Sequence, residues 1–342
     1  MAQVYLQETG NGGSEHEPSG SRFRRRLAEL RRDPGIWRRG IVLAVLAVLL
    51  ALVMIFHAYL PNDVGNTGSL IETFLPWLGL AVPLLLAGAL WRRSATALIA
   101  VVLPAVVWTN LFGGLVTDKS GAGGNLMVAT HNVDADNPDP KGTAESVATS
   151  GADVLALTEL KAGAVPVYEK ALAGTYKYYA VEGTVGVWSK YPLTSSAPVD
   201  IKMGWTRAMR TTVATPSGPV AVYVAHLPSV RVKLNAGFTA NQRDNSAEAL
   251  GQALAGEPQK KVILLGDLNG TMNDRALSPV TSQMRSTQGA AGDGFGFSWP
   301  AQFPMARIDQ IMVRGIKPEA SWTLPRTGSD HLPVAARVTV RQ

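Results

Sequence analysis

Between Ile41 and Leu60 the chain runs for twenty residues, IVLAVLAVLLALVMIFHAYL, without a formal charge. A helix of that length rises roughly 30 Å at about 1.5 Å per residue, which is the thickness of a bilayer's hydrocarbon core. Two further apolar runs follow, Thr73 to Trp91 with Pro76 and Pro83, and Ala95 to Phe112 with Pro104. Membrane helices tolerate such prolines because neighbouring segments satisfy the freed backbone groups. The pattern predicts three crossings, at 41–60, 73–91 and 95–112, with Trp77, Trp91 and Trp108 as interface anchors. A cleaved signal peptide does not fit, because 39 mostly polar residues precede the first run and the run is too long for an h-region.

Charge then sets the orientation. Residues 1–39 carry eight Arg and five acids, 40–117 carry two of each sign, and 118–342 carry 22 basic and 19 acidic residues, which together make the net +6. Arg22, Arg24, Arg25, Arg26, Arg31, Arg32, Arg38 and Arg39 precede the first run, Arg92 and Arg93 separate the second from the third, and the loop Pro61 to Glu72 has no Lys or Arg. The positive-inside rule places the N-terminus and the Arg92–Arg93 turn in the cytoplasm and everything after about Gly113 outside. Residues 1–39 read as a disordered basic tail, 40–112 as the spans, 113–124 as a Gly-rich linker and 125–342 as an extracytoplasmic domain. The arginines serve topology and lipid headgroups before nucleic acid.

Past the linker, strand runs alternate with short amphipathic stretches. Strands are expected at 125–133, 153–160, 184–190, 210–215, 219–227, 261–268, 307–313 and 336–342, and helices at 144–150, 165–172 and 241–254. Several strands are apolar throughout, as in sheets covered on both faces, so the class is α/β or α+β in stacked layers.

Almost every apolar strand ends in an acid, an amide or a histidine: His131-Asn132-Val133-Asp134, Thr158-Glu159, His226, Asp267-Leu268-Asn269, Asp309, and Ser329-Asp330-His331. A carboxylate at the edge of an apolar strand is costly unless paired, hydrogen-bonded or bound to metal. One metal site on a common rim accounts for all of them. The chain has no cysteine, so its ligands must be oxygen or imidazole, and hard oxygens with few imidazoles favour Mg²⁺ or Mn²⁺ over zinc.

In order along 125–342, the segments THNVD, LTEL, GVWSKYPL, VAHLPS, LLGDLNGT, RIDQIMV and GSDHLPV resemble the successive motifs of the endonuclease/exonuclease/phosphatase superfamily. The resemblance implies a DNase I-like four-layer α/β sandwich with two mixed sheets and a divalent-metal phosphoesterase site at one end. The basic N-terminus, three spans and outer phosphoesterase domain together resemble the teicoplanin- and vancomycin-resistance membrane proteins of actinomycetes, which implies a role in glycopeptide resistance.

Roles follow from the matched positions. Glu159 resembles the family's metal-binding glutamate, with Asp330, Asn132 and Asp134 completing the metal shell, although an acid in the loop after Asn132 is also commonly solvated. Asp267 and Asn269, two apart on extended chain, point the same way, so that one can activate water while the other hydrogen-bonds phosphoryl oxygens. Asp309 would orient His331 and favour its protonated form, which stabilises charge developing on phosphate. His226 matches a histidine that can protonate a leaving oxygen. His131 alternates away from Asn132 and reads as structural. His57 reads as an interfacial residue. Arg207, Arg210, Arg243 and Arg307 can each bind a substrate phosphate, Arg207 being the candidate substrate contact, although any one of them is more often a solvated charge. Trp205 and Trp299 line a mouth or pack inside.

The expected activity is Mg²⁺-dependent hydrolysis of a phosphate ester or anhydride at the membrane surface, on a lipid-linked phosphate such as a cell-wall isoprenoid carrier or a phospholipid headgroup. An anchored nuclease is the alternative, but DNA binding needs a dense basic face and 22 against 19 scattered charges do not make one. A non-catalytic binding or immunity module would show decayed motifs, and here the key positions are filled.

Overall fold

The protein is described by a computed structural model over residues 35–63, 65–230, 232–233, 237–238 and 240–341. The expected tail, including Arg22 to Arg32, lies outside the described residues. The N-terminal unit comprises α1 (Ile41–Ile55), α2 (Thr67–Thr73), a 3-10 segment Leu75–Leu80 leading into α3 (Ala81–Trp91), and α4 (Ala95–Phe112). The helix pattern is inverted relative to a soluble bundle. Ala44, Ala47, Ala51 and Ala97 are buried, whereas Val42, Leu46, Leu49, Leu84, Ile99 and Val106 are exposed. Small residues let α1 and α4 approach closely, and the large apolar ones cover the outside.

The three expected crossings differ in quality. Ala95–Leu115 is long and apolar enough to span a membrane. The second run is broken: Thr67–Thr73 and Leu75–Trp91 qualify only as a pair bent by 72°. The first run is helical only to Ile55, where a 3-10 turn His57–Tyr59 takes over. Trp91 is 87% exposed, but Trp77 and Trp108 are not the lipid-facing anchors expected. Their indole N–H groups donate to the carbonyls of Met305 at 2.7 Å and Pro76 at 2.8 Å, so each is turned into the protein by a hydrogen bond that lipid could not supply.

The remainder forms two six-stranded mixed sheets. The strands are β1 (Leu126–Asn132), β2 (Val154–Thr158), β3 (Tyr178–Glu182), β4 (Val185–Ser189), β5 (Leu193–Pro198), β6 (Ala208–Thr215) and β7 (Gly218–His226). They continue with a short ribbon β8 (Val232–Lys233) and β9 (Gly237–Phe238), then β10 (Val262–Asp267), β11 (Arg285–Ser286), β12 (Asp309–Arg314), β13 (Lys317–Thr323) and β14 (Val334–Thr339). One sheet has the order β13-β14-β1-β2-β4-β3 and the other β11-β12-β10-β7-β6-β5. Parallel pairs β1–β2 and β7–β10 sit at their centres. Period-two alternation builds the layers. Val154 and Ala156 of β2 meet Val222, Val224 and Ile263 between the sheets, while Leu155 and Leu157 face outward onto α5 (Pro140–Ala148) and α6 (Val165–Leu172). On the far side α7 (Asn241–Ala255) buries Ala247, Leu250 and Leu254 against Tyr223, Leu264 and Met312. Each such leucine contributes about 1.5–3 kcal/mol.

All eight expected strands exist within two or three residues of their expected bounds, and the three expected helices are present, the first starting at Pro140. Besides the two-residue strands β8, β9 and β11, the strands not expected are β3, β5 and β13. They are exposed or half-buried along much of their length, so their sequences lack the apolar run that marks a central strand. The Gly-rich stretch is pinned rather than free, since Lys119 N–H donates to Gly292 O at 3.3 Å and Gly121 N–H to Glu319 O at 2.6 Å.

The two units share a joint. Trp77 stacks on Phe297 with centroids 5.7 Å apart, and Phe295 lies 6.3 Å from Trp108 and 6.2 Å from Phe112. A polar contact completes it: Arg275 donates to Ala58 O and Leu60 O at 2.6 and 2.5 Å and pairs with buried Glu72 at 3.3 Å. His57 is no bare interfacial residue, because it stands 3.6 Å from the same carboxylate.

Candidate active site

Strand register assembles the site. In one sheet Asn132, the last residue of β1, is level with Thr158, the last of β2, so Glu159 emerges beside it. In the other sheet Asp267 of β10 is flanked by His226 on one side and Asp309 on the other. The two rims touch where Asn132 Nδ2 donates to Asp267 Oδ2 at 3.0 Å. A cleft of about 260 Å³ opens there, lined by Asn132, Asp134, Glu159, His226, Asp267, Asn269, Asp330 and His331. Thr73, Ser229, Val230, Trp299, Ala306 and Ile308 complete its wall.

Only glycine permits this register at β10. Gly266 has φ +136°, and a Cβ there would lie 2.0 Å from Ala225 O. Beyond it, Asn269 N–H donates to Asp267 Oδ1 at 2.8 Å and Asn269 Nδ2 donates to Asp267 Oδ2 at 3.2 Å and Leu227 O at 2.9 Å. Asp134, Glu159 and Asn269 all hold left-handed φ values of 60°, 65° and 47°. Positive φ is uncommon outside glycine, and its recurrence at three strand ends of one cleft marks backbone shaped for side-chain placement.

Asp309 Oδ2 and His331 Nδ1 are 2.8 Å apart, and His331 Nε2 stands 3.8 Å from both Asp267 Oδ2 and Asp330 Oδ1. Burial alone would lower the imidazole pKa, but the Asp309 and Asp267 carboxylates outweigh it and raise it. Asp309 is correspondingly held low by the imidazolium, against its burial. Burial raises Asp267, and Asp309 adds to it, although His331 and the Asn132 and Asn269 donors oppose the rise. Ser329 locks this arrangement to β1: its hydroxyl donates to Asn132 O at 2.7 Å and accepts from His331 N–H at 3.0 Å. His131 faces away, as alternation requires, onto Thr327 Oγ1 at 2.9 Å, and burial depresses its pKa to about 3.

His226 has a different setting from the one expected of a proton donor. Its Nε2 accepts from Arg207 Nη2 at 2.5 Å, and its pKa is well below the ordinary value because of burial, Arg207 and His331. The imidazole is therefore neutral here, and the cation at this wall is the Arg207 guanidinium, which also stacks 5.2 Å from the Trp205 ring. Trp205 is exposed, while Trp299 donates to Asp330 Oδ2 at 3.3 Å.

Arg243 and Arg210 are not solvated substrate contacts. Arg243 is fully buried, pairs with Asp274 at 2.7 Å and donates to Asn269 O at 2.8 Å, so it braces the loop that carries Asn269. Arg210 forks onto Glu257 at 3.0 and 3.1 Å. Arg307 is buried, donating to Gly296 O at 2.8 Å. Apart from Asp244 beside Arg243, the acidic or carbonyl partners that bury these arginines lie 11 to 47 residues away in sequence, so no local pattern separates them from surface ones. Thr73 and Ser229 likewise carry no sequence signal.

The donor set suits a hard divalent cation. Asp134, Glu159, Asp330 and Asn132 line the cleft with hard oxygens, and burial raises the Glu159 pKa against the opposing Asn132 hydrogen bond and the His331 and Arg207 charges. Asp267, Asp309 and His331 also place one donor atom each within 4.8 Å of one another. There, however, Asp309 Oδ2 and His331 Nδ1 are already spent on each other.

Two sheets back to back, helices outside them, and a carboxylate, amide and imidazole rim at one end define the phosphoesterase class of α/β sandwiches. Similar solved structures include a conserved protein of unknown function from Enterococcus faecalis V583, at 16% identity over 63% of this chain and 100% of that one, TM-score 0.54. D. rerio TDP2 in complex with single-strand DNA product follows, at 18%, 63%, 98% and 0.53. Beta toxin from Staphylococcus aureus matches at 15%, 62%, 99% and 0.51. No curated protein matches. The profile of the Endonuclease/Exonuclease/phosphatase family matches residues 129–331, and the chain belongs to that family. Its members are hydrolases of phosphoester bonds and typically depend on a divalent metal.

Proposed function

We propose that this protein is a membrane-anchored hydrolase that removes phosphate from a lipid-linked phosphate or diphosphate on the extracytoplasmic side, with glycopeptide resistance as its physiological setting. The observation that carries the lipid reading is Thr73, a residue of the apolar helical unit that forms part of the catalytic cleft's wall. The same unit exposes Val, Leu and Ile along its other helices, the kind of surface that a bilayer covers. Topology agrees: Arg92 Nε donates to Arg39 O at 3.0 Å, so both basic segments occupy one end of the helices, while Ala58 and Leu60 at the other end contact the catalytic domain. That arrangement fits basic residues inside and the domain outside.

Asp134, Glu159, Asp330 and Asn132 would hold a divalent cation, Mg²⁺ or Mn²⁺, which neutralises charge on the phosphoryl oxygens. Asp267 accepts the proton of the attacking water, and the Asn132 and Asn269 amides keep its carboxylate aimed. His331, held as imidazolium by Asp309, presents Nε2–H to charge developing on the phosphate. Arg207 reinforces this from the opposite wall through the neutral His226.

The test is phosphate release from undecaprenyl diphosphate and a phospholipid panel, with plasmid DNA as the competing substrate. Lipid hydrolysis that stops with EDTA, returns with Mg²⁺, and falls by on the order of 10³-fold in Asp267→Ala and His331→Ala is expected. Nicked plasmid with intact lipids would overturn the reading in favour of a nuclease.

A further inference from the structure

Beside the cleft lies a second cavity of about 430 Å³, within the roughly 300–1,000 Å³ of small-molecule sites. Its walls come from both units: Trp77 and Val82 from the segment leading into and through α3, Ala105 and Trp108 from α4, and Phe295 and Phe297 from the loop before β12. Almost every lining side chain is apolar. The cavity is not isolated. Pro76, Phe295 and Phe297 also line a smaller pocket of about 90 Å³, and Thr73 lines both that pocket and the catalytic cleft. Along this path the chemistry changes in order, from aromatic rings, through Thr271, Gln310 and Arg307, to the carboxylates and imidazoles of the site. Arg307 Nε is buried without a hydrogen-bond partner in the middle stretch.

We infer that the cavity between the helical unit and the Phe295–Phe297 loop is the binding site for the single hydrocarbon chain of the substrate, continuous with the cleft that takes its phosphate. The inference rests on the lipid-phosphate reading and adds what selects the lipid. Three features name the occupant. An apolar cavity gains from hydrocarbon and loses from any polar ligand. Its adjacency to the catalytic cleft, through wall residues shared with the intervening pocket, suits a molecule apolar at one end and anionic at the other. Its flanks, α3 and α4, expose Leu84, Ile99 and Val106, so a chain can enter sideways from the bilayer without crossing water. Trp77 and Trp108 frame the entrance rigidly because each indole N–H is already bonded to a carbonyl, leaving only ring faces for the ligand.

The full chain in lipid nanodiscs is assayed against prenyl diphosphates of increasing chain length, from isopentenyl to farnesyl and geranylgeranyl. Catalytic efficiency should climb with chain length, and Ala105→Trp, which fills the cavity, should lower the farnesyl-to-isopentenyl ratio of kcat/KM by tenfold or more. Val42→Trp on the exposed face of α1, away from the cavity, should leave that ratio unchanged. Binding is read separately from catalysis in Asp267→Ala, by quenching of tryptophan fluorescence with bromododecyl phosphate, a quench that Trp77→Phe combined with Trp108→Phe should reduce to the level set by exposed Trp91. Quenching without turnover of any lipid would sink the proposed activity and keep the cavity assignment. Lipid turnover with a chain-length ratio unmoved by Ala105→Trp would sink the cavity assignment and keep the activity. Equal quenching by brominated phosphatidylcholine, with that ratio unmoved, would make the occupant a resident bilayer lipid and overturn the inference.

Discussion

Gly266 shows how far one atom decides this site. The strand β10 must pass close enough to β7 to bring Asp267 level with His226, and at φ +136° a methyl group would meet Ala225 O at 2.0 Å. Gly266→Ala is expected to cost on the order of 3 kcal/mol, from backbone strain and overpacking together, and to misplace Asp267. Thermal unfolding in detergent checks the first effect, and turnover of a soluble phosphoester by the surviving folded fraction checks the second. Wild-type melting in this variant would show that the strand can shift without loss. The importance of the glycine was not separable in sequence, where LLGDLN reads as an apolar run ending in polar residues and as part of a family motif, without showing that Gly266 needs its left-handed backbone.

At the scale of elements, α7 is tied to the sheet beneath it by one ion pair. Glu257, just after the helix, accepts two bonds from Arg210 of β6 and one from Tyr223 Oη of β7 at 2.9 Å. Burial would raise its pKa, but Arg210, Gln259 N–H and Tyr223 outweigh this and hold it below the ordinary value of 4.5. Because the folded pKa is below the unfolded one, the stabilisation is complete above about pH 4.5 and disappears as pH falls through the folded value. Glu257→Gln should therefore lower stability by about 1–3 kcal/mol at neutral pH, with the gap to wild type closing toward pH 3. Melting curves across pH 3–7 test this, and a gap independent of pH would refute it. Central strands and α7 were legible because burial on two faces, or on one helical stripe, leaves a periodic apolar trace. The edge strands β3 and β5 bury less and leave none.

At the scale of the whole molecule, the helical unit and the catalytic domain form one working object. Arg275 holds them at a polar joint with Ala58, Leu60 and Glu72, and aromatic rings seal the apolar side. Arg275→Ala strands the Glu72 carboxylate in a buried position and is expected to cost about 3–5 kcal/mol. Limited proteolysis near residues 113–124 should then release the catalytic domain faster than from wild type. Equal cleavage rates would show that the aromatic contacts alone hold the joint.

The apolar runs, a layered α/β or α+β class and the polar strand ends were determined by sequence alone, since each is written in neighbouring residues: hydrocarbon length, period-two burial, and a carboxylate or amide where an apolar strand stops; the sandwich itself came from the resemblance of the successive motifs. Local pattern also nominated Asn132, Glu159, Asp267, Asn269, Asp309 and His331 for one cleft. Tertiary structure alone decided what each polar group faces. His226 becomes a neutral acceptor because Arg207 lies over it, Arg243 becomes a buried brace because Asp274 meets it, and Trp77 turns inward to Met305, 228 residues away. Thr73 joins the active site for the same reason. Charge state and cavity shape depend on contacts between segments far apart in the chain, and no local periodicity records which distant partner will arrive.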